Sequence, residues 1–346
     1  MKLQFSTIAG TPPARFVNRH REKFWWFHSF YALLFGLGFM WLGARHFTYL
    51  RVAVFHIAFI WLSSLALPTI ASHARLQPPW PERLRLFVNY LQRNFYQQLL
   101  FFILPIYARS ATCGAANSLF VVLVAAAAVL STLDVVYDRH LTRLWWWLTL
   151  FFSFNLFACI NVMLPILWGM PLKRASAISA ALALVGFATF LLRFSPLSRC
   201  RQLALIGLGA ALLAGLVGWG RSAIPPAPLR LLRAEFALGF DTATRRIVSP
   251  LTALEPGFSG RVHFLSAVRA PLGLRDRIRH VWFLNGERRF ASRFFTLSGG
   301  RRQGFRLWTS LQLDALTQPA TLRVCVETEA GQLVGWGRLS SSPPAF

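Results

Sequence analysis

The chain has 346 residues, of which 55% are hydrophobic and only 14% carry a charge. Soluble domains are about 25% charged, so this composition argues against an ordinary soluble enzyme and against a disordered chain. The formal net charge is +25, from 37 basic and 12 acidic residues. A nucleic-acid-binding protein would share the charge but not the apolar content, so the composition predicts a basic integral membrane protein with no nucleic-acid partner.

The acidic residues divide the chain into two regions, because eight of the twelve follow residue 222. Apolar stretches dominate before that boundary, and strand-like alternation dominates after it. We therefore expect a basic cytoplasmic N-terminus (1–23), a transmembrane helical domain (24–222), a Pro-rich linker (223–229) and a soluble β-sandwich domain (230–346).

Six stretches of the first region approach the ~20 apolar residues that a membrane-spanning helix requires. They are Phe24–Ala44, Val52–Leu67, Ala115–Leu133, Leu144–Trp168, Ala175–Leu192 and Leu203–Trp219. A basic stretch precedes the first, which is too long for a signal-peptide core and has no cleavage site after it. It is interpreted as an uncleaved anchor.

A seventh span is predicted at Tyr96–Thr112, shortened by Pro105 and Arg109. Before it, Glu82–Phe95 has apolar residues at helical spacing and suits a helix that lies in the headgroup layer. With seven spans the cytoplasmic side carries 14 basic residues near span ends and the opposite side 6, whereas six spans give 13 against 7. The positive-inside rule thus favours seven spans and an extracytoplasmic C-terminal domain.

Small residues recur four apart on the last span, at Gly207, Ala211 and Gly215. Such a stripe allows a neighbouring helix to approach closely. Packing within the bundle and a homodimer contact are the two interpretations. Asp134 is the carboxylate that a proton-coupled transporter would use, but its place at a span end favours an interfacial partner instead.

Period-two alternation begins after the linker and recurs in seven segments, separated by turns such as Asn285-Gly286 and Gly299-Gly300. Seven short strands within residues 230–346 predict an antiparallel β-sandwich of immunoglobulin-like type. Trp282 shares a strand face with Ile278 and His280, so we expect it in the core.

A binding surface is predicted on the outer faces of two late strands, because Arg306 and Trp308 alternate with core residues. By the same rule Arg323 and Glu327 face outwards on a following strand, and if the two strands pair, these side chains meet. Arg301 and Arg302, in the preceding loop, add to the surface, which would hold an anionic lipid, a glycan or an envelope protein. Solvated strands with ordinary cross-strand pairs are the alternative.

Three segments of the polar half carry a resemblance. They are His280-Val-Trp-Phe-Leu-Asn-Gly286, Gly299-Gly-Arg-Arg-Gln-Gly-Phe-Arg-Leu-Trp-Thr-Ser310 and Leu322-Arg-Val-Cys-Val-Glu-Thr-Glu-Ala-Gly-Gln-Leu-Val-Gly335. Together they resemble a small bacterial domain of unknown function, found at the C-terminus of uncharacterised multi-span inner-membrane proteins. The resemblance implies a bacterial inner-membrane location and this architecture; it implies no activity.

Catalytic motifs for nucleotide binding, zinc hydrolysis and serine nucleophiles are missing from the sequence. We therefore expect no cofactor, no metal site and no catalytic residues. The leading hypothesis is a membrane protein with a periplasmic β-sandwich that binds an envelope component or a partner protein. The alternatives are a transporter or lipid-handling enzyme that acts through the bundle, and a structural subunit of a larger membrane complex.

Overall fold

A computed structural model describes residues 80–133, 144–241, 246–255, 257–315 and 320–341, together with parts of 30–38 and 55–66. Its helical part contains α1 (Trp80–Ser110), α2 (Asn117–Thr132), α3 (Trp145–Trp168), α4 (Leu172–Phe194), α5 (Arg199–Gly218) and a 3-10 turn (Gly220–Ala223). Most of the first predicted span, part of the second, and Asp134 lie outside the described residues.

Three of the described helices, α3, α4 and α5, are long and apolar enough to cross a membrane. Their bounds agree with the predicted spans to within a few residues. Helix α2 is apolar but has only 16 residues, and α1 is long but charged in its first half. The apolar helices indicate a membrane protein, whereas a bundle of seven spans is not confirmed.

Helix α1 contains both the predicted surface helix and the predicted short span. The two form one continuous helix of 31 residues with Pro105 inside it. Tyr96 packs edge-on against Phe151, and Tyr107 further along contacts Ala158, so α1 runs in the same direction as α3. Its length is roughly 46 Å, which exceeds the ~30 Å hydrocarbon core.

Hydrogen bonds between buried polar side chains join three of the helices. The Tyr107 hydroxyl donates to the carbonyl of Ala158 at 2.9 Å, and Asn161 Nδ2 donates to the tyrosine oxygen at 3.2 Å. Ser176 donates to Asn161 Oδ1 at 2.9 Å. These bonds fix α1, α3 and α4 against one another in a region that otherwise offers only non-directional packing.

The β domain consists of two antiparallel sheets that enclose a common core. Its strands are β1 (Arg230–Asp241), β2 (Arg246–Leu251), β3 (Gly260–Arg269), β4 (Arg275–Leu284), β5 (Glu287–Ala291), β6 (Phe295–Ser298), β7 (Phe305–Leu313), β8 (Thr321–Thr328) and β9 (Leu333–Ser340). One sheet has the order β2-β1-β3-β7, and the other has β5-β4-β8-β9 with β6 also paired to β4. The immunoglobulin-like type stays a prediction.

Nine strands are present among the described residues where seven were predicted. Strand β2 was missed because Pro250 and the positive φ of Ser249 (59°) interrupt its pattern, and β2 is an edge strand, where proline is tolerated. The sequence pattern predicts one strand over Phe290–Leu297, but this stretch is divided between β5 and β6 around Ser292, whose hydroxyl accepts the amide N–H of His280 at 3.0 Å.

Trp282 lies in the core, as predicted, and is fully buried. Its indole Nε1 donates to the Thr309 hydroxyl at 2.9 Å, and His280 Nδ1 lies 2.8 Å from the same oxygen. His280 Nε2 is 2.8 Å from the hydroxyl of Ser266. Because β4 belongs to one sheet and β3 and β7 to the other, this network joins the two sheets across the core. Burial lowers the pKa of His280 to about 3, so the ring is neutral at pH 7.

At the junction, a residue of the helical part is buried in the β-domain core, and residues of the linker are buried in the bundle core. Leu172, the first residue of α4, is buried in the core of the β domain. Conversely, Ile224 and Ala227 of the Pro-rich linker are buried in the core of the bundle. Gln332 of the β domain donates to the carbonyl of Ile224 at 3.2 Å. The linker is therefore packed at the junction and does not act as a free tether.

A buried carboxylate holds the turn between α3 and α4 against the β domain. Asp276 Oδ2 accepts the amide N–H of Leu172 at 3.0 Å, and its Oδ1 accepts that of Arg277 at 2.7 Å. Burial raises the pKa of Asp276, against these two bonds, which lower it. Gly169, in the same turn, lies so close to Gly273 that a Cβ atom there would be 2.5 Å from the Gly273 oxygen.

Thr309→Val should destabilise the β domain, because it leaves Trp282 Nε1 and His280 Nδ1 buried without their shared partner. The expected cost is about 1–3 kcal/mol, measured as a lower unfolding midpoint of the full chain by near-ultraviolet circular dichroism. Thr309→Ser keeps the hydroxyl and serves as the control. Equal midpoints for the two variants would contradict the role given to this hydroxyl.

Asp276→Ala should loosen the junction, because the buried amide of Leu172 loses its acceptor. Amide hydrogen exchange in the first turn of α4 should accelerate by about tenfold or more, which corresponds to ~1.4 kcal/mol. Asp276→Asn retains an acceptor oxygen of similar shape and should accelerate exchange much less. Unchanged exchange in the alanine variant would show that other contacts hold the turn.

Candidate functional site

A cavity of about 360 Å³ lies between the last two turns of α1 and the adjoining loops of the β domain. Pro105 and Ile106 of α1 form one wall, and Pro271 and Leu272 of the β3–β4 loop form another. Five arginines also line the cavity: Arg109, Arg230, Arg269, Arg301 and Arg302.

Each arginine is placed by the end of an element. Arg109 is in the last turn of α1, Arg230 is the first residue of β1 and Arg269 is the last of β3. Arg230 and Arg269 are directly paired across the two antiparallel strands, which puts their Cβ atoms about 4.5–5.5 Å apart. The junction brings the strand ends to α1, so that charges distant in sequence converge.

The loop that carries Arg301 and Arg302 depends on Gly299. Its amide donates to the carbonyl of Leu274 at 3.0 Å, and the amide of Gly300 donates to that of Ala270 at 3.0 Å. A Cβ atom at Gly299 would lie 1.7 Å from the Pro271 oxygen, which no side chain permits. Glycine therefore allows the two loops to touch, and this contact sets both arginines beside the cavity.

Four of the five arginines of the cavity have no carboxylate partner among the described residues. Among the described residues that line it there is no aspartate or glutamate, and within the described part of the chain Arg230, Arg269, Arg301 and Arg302 form no ion pair. Arg301 is placed over the ring of Phe305, 6.0 Å from its centroid. Like charges directly opposite on paired strands are destabilising, so this arrangement favours an anion between them.

Two arginines of the second sheet are balanced by carboxylates, in contrast. Arg277 pairs with Glu329 and Arg279 with Glu327, each at 3.1 Å. Both also lie over the ring of Phe294, 5.7 and 4.9 Å from its centroid. Pairs of this kind are ordinary surface electrostatics. Elsewhere on the same sheet Arg323 lies directly opposite Arg338 on the paired strand.

The structure does not bring the six predicted binding residues together. Arg301 and Arg302 line the cavity, while Arg306 and Trp308 are exposed on β7 outside its lining. The remaining two, Arg323 and Glu327, belong to the other sheet. The condition that the two late strands pair is not met, because β7 pairs with β3 while β8 pairs with β4 and β9. Alternation identifies the face of a strand but not its neighbour.

Three arginines of the cavity, Arg109, Arg230 and Arg269, were missed by the sequence analysis. They are up to 160 positions apart in the chain, so local pattern could not group them. A weak sequence signal existed, because each of these arginines is near the end of an element and within four residues of a proline. Chain turns at a junction occur at such element ends.

The predicted helix-packing residues lie on α5, but on a face away from the described helices. No described atom lies within 4 Å of a Cβ atom built at Gly207 or at Gly215, and Ala211 is exposed. A Cβ atom built at Gly209, in contrast, would lie 3.4 Å from the ring of Phe187 in α4. Packing of the stripe within the described bundle is thus not seen, and the homodimer contact stays a prediction.

His280 and Ser266 form a pair that could be mistaken for a base and a nucleophile. Both are fully buried in the β-domain core, so no substrate reaches them and their role is structural. Within the described residues, no group of three or more His, Cys, Asp or Glu side chains could hold a metal ion.

A family model described as "Family of unknown function (DUF5924)" matches residues 13–257. The match spans the described helices and the first two strands of the β domain, and it ends before the three C-terminal segments on which the sequence resemblance rests. No curated protein and no solved structure shows a significant match.

Gly299→Ala should move Arg301 and Arg302 away from the cavity without removing a charge, because the added methyl group forces the two loops apart. Amide exchange at Gly300 should accelerate by more than about tenfold, equivalent to ~1.4 kcal/mol. Gly207→Ala, on an open helix face, is the control and should leave this loop unchanged. An amide exchange rate at Gly300 that is unchanged in the Gly299→Ala variant would show that the loop does not need the close contact at Gly299.

Proposed function

The chain belongs to this family of unknown function, and we propose its role from the junction. It is a multi-pass protein of the bacterial inner membrane whose β domain, on the periplasmic face, binds an anionic component of the envelope. The observation that carries the proposal is a cavity lined by Arg230, Arg269, Arg301 and Arg302, none of which forms an ion pair within the described residues.

The chemistry of the cavity suits an anion with several oxygen atoms. Guanidinium groups donate paired hydrogen bonds to phosphate or carboxylate and stay charged at any physiological pH. The volume of about 360 Å³ lies within the range of small-molecule sites, roughly 300–1,000 Å³. Bound oxygen atoms between Arg230 and Arg269 would convert an unfavourable contact into a favourable one.

The direction of the helices supports the proposed orientation. Helices α1, α3 and α5 end at the β domain, whereas α2 and α4 begin there, as their contacts indicate. If the two predicted spans before α1 also cross, the chain has seven spans and its N-terminus lies on the opposite side. The greater number of basic residues near span ends on that side supports a cytoplasmic N-terminus.

Arginine labelling with phenylglyoxal tests whether an anion occupies the cavity. In native membranes an occupant should protect Arg230, Arg269, Arg301 and Arg302. Reactivity at these positions should rise by about tenfold, as for a loss of ~1.4 kcal/mol of local protection, once the full chain is delipidated in detergent at high salt. Mass spectrometry of the labelled peptides gives the measurement.

Matched variants separate occupancy from simple exposure. Arg301→Gln with Arg302→Gln should abolish the protection of Arg230 and Arg269 in native membranes, whereas Arg306→Gln, on β7 outside the cavity, should preserve it. Equal reactivity in native and delipidated samples would refute the proposed function. A reporter fused after Phe346 that is active only in the cytoplasm would refute the orientation.

A further inference from the structure

Exposed tryptophans indicate the level of the membrane surface beside the cavity. Trp168 ends α3 and is 64% exposed, and Trp219, just after α5, is 92% exposed. Tryptophan is enriched where hydrocarbon meets headgroups. Gly169, next to Trp168, touches Gly273, next to Leu272 of the cavity wall. The cavity therefore lies at headgroup depth.

The cavity has apolar groups in its lining as well as arginines. Pro105 and Ile106 belong to the last turns of a helix in the bundle, and Leu272, in the loop of the facing wall, is 84% exposed. Exposure of a leucine to water is unfavourable, whereas its burial among acyl chains is stabilising. A soluble anion would make no use of these apolar groups.

We infer that the cavity receives the phosphate headgroup of an anionic phospholipid from the surrounding leaflet, an inference that rests on the proposed function. The phosphate lies between Arg230, Arg269 and the Arg301–Arg302 loop. The acyl chains leave past Ile106, and Leu272 inserts beside them. A lipid with net negative charge is preferred over a zwitterionic one, because a choline group would add a cation to a site lined by Arg230, Arg269, Arg301 and Arg302.

Nanodiscs of defined composition test this inference with the full chain. Phosphatidylglycerol mixed into phosphatidylcholine should lower phenylglyoxal labelling of Arg230 and Arg269 by about tenfold relative to phosphatidylcholine alone. Soluble glycerol phosphate, added to phosphatidylcholine discs at the same ionic strength, should give little protection. Leu272→Asn should weaken protection by the lipid and leave any effect of glycerol phosphate unchanged, whereas Arg306→Gln should behave as the native chain.

The outcomes separate this inference from the proposed function. Protection by glycerol phosphate equal to that by phosphatidylglycerol would overturn the lipid assignment and leave an anion site. Protection in native membranes that neither probe reproduces would also overturn it, in favour of another envelope anion. Absence of protection in native membranes would overturn both. Circular dichroism of each variant shows whether it has folded.

Discussion

The contact between the α3–α4 turn and the β domain is the constraint on which the rest of the structure depends. Asp276 accepts the first amide of α4, and Leu172 beside it enters the core of the β domain. A carboxylate near a helix N-terminus is stabilised by unpaired amides and by the helix dipole. This contact holds the β domain against the bundle, so the ends of β1 and β3 lie against the end of α1. The cavity forms between these ends, and two domains that did not touch would not form it.

The charges of the cavity differ from those of Arg277 and Arg279, which meet glutamates on a neighbouring strand. At the junction Arg230 faces Arg269. Two like charges at about 4 Å cost on the order of 1 kcal/mol in water and up to about 4 kcal/mol near a protein surface. Arg323 faces Arg338 in the same way on the second sheet, but there the guanidinium of Arg323 lies over the rings of Phe283 and Trp336. At the junction the proposed ligand would supply the negative charge that the arginines lack among the described residues.

Local sequence pattern predicted the structural features that depend on residues close together in the chain. Period two placed Trp282 and His280 in the core and Trp308 on an exposed face, and apolar length predicted α3, α4 and α5 to within a few residues. Pattern failed where long-range contact decides. The edge strand β2 and the pairing of β7 with β3 follow from packing that adjacent residues do not encode. The cavity was missed for the same reason, since its arginines come from four separate segments.

The net charge of +25 combines two physical roles. Most basic residues near the predicted span ends belong to the side that we propose to be cytoplasmic, as the positive-inside rule expects. Arg109 is one of six counted on the other side. Its place in the last turn of α1 favours a cation, because the helix dipole is negative there, and that turn forms a wall of the cavity. The dipole and the cavity thus give Arg109 a physical role that the proposed orientation does not.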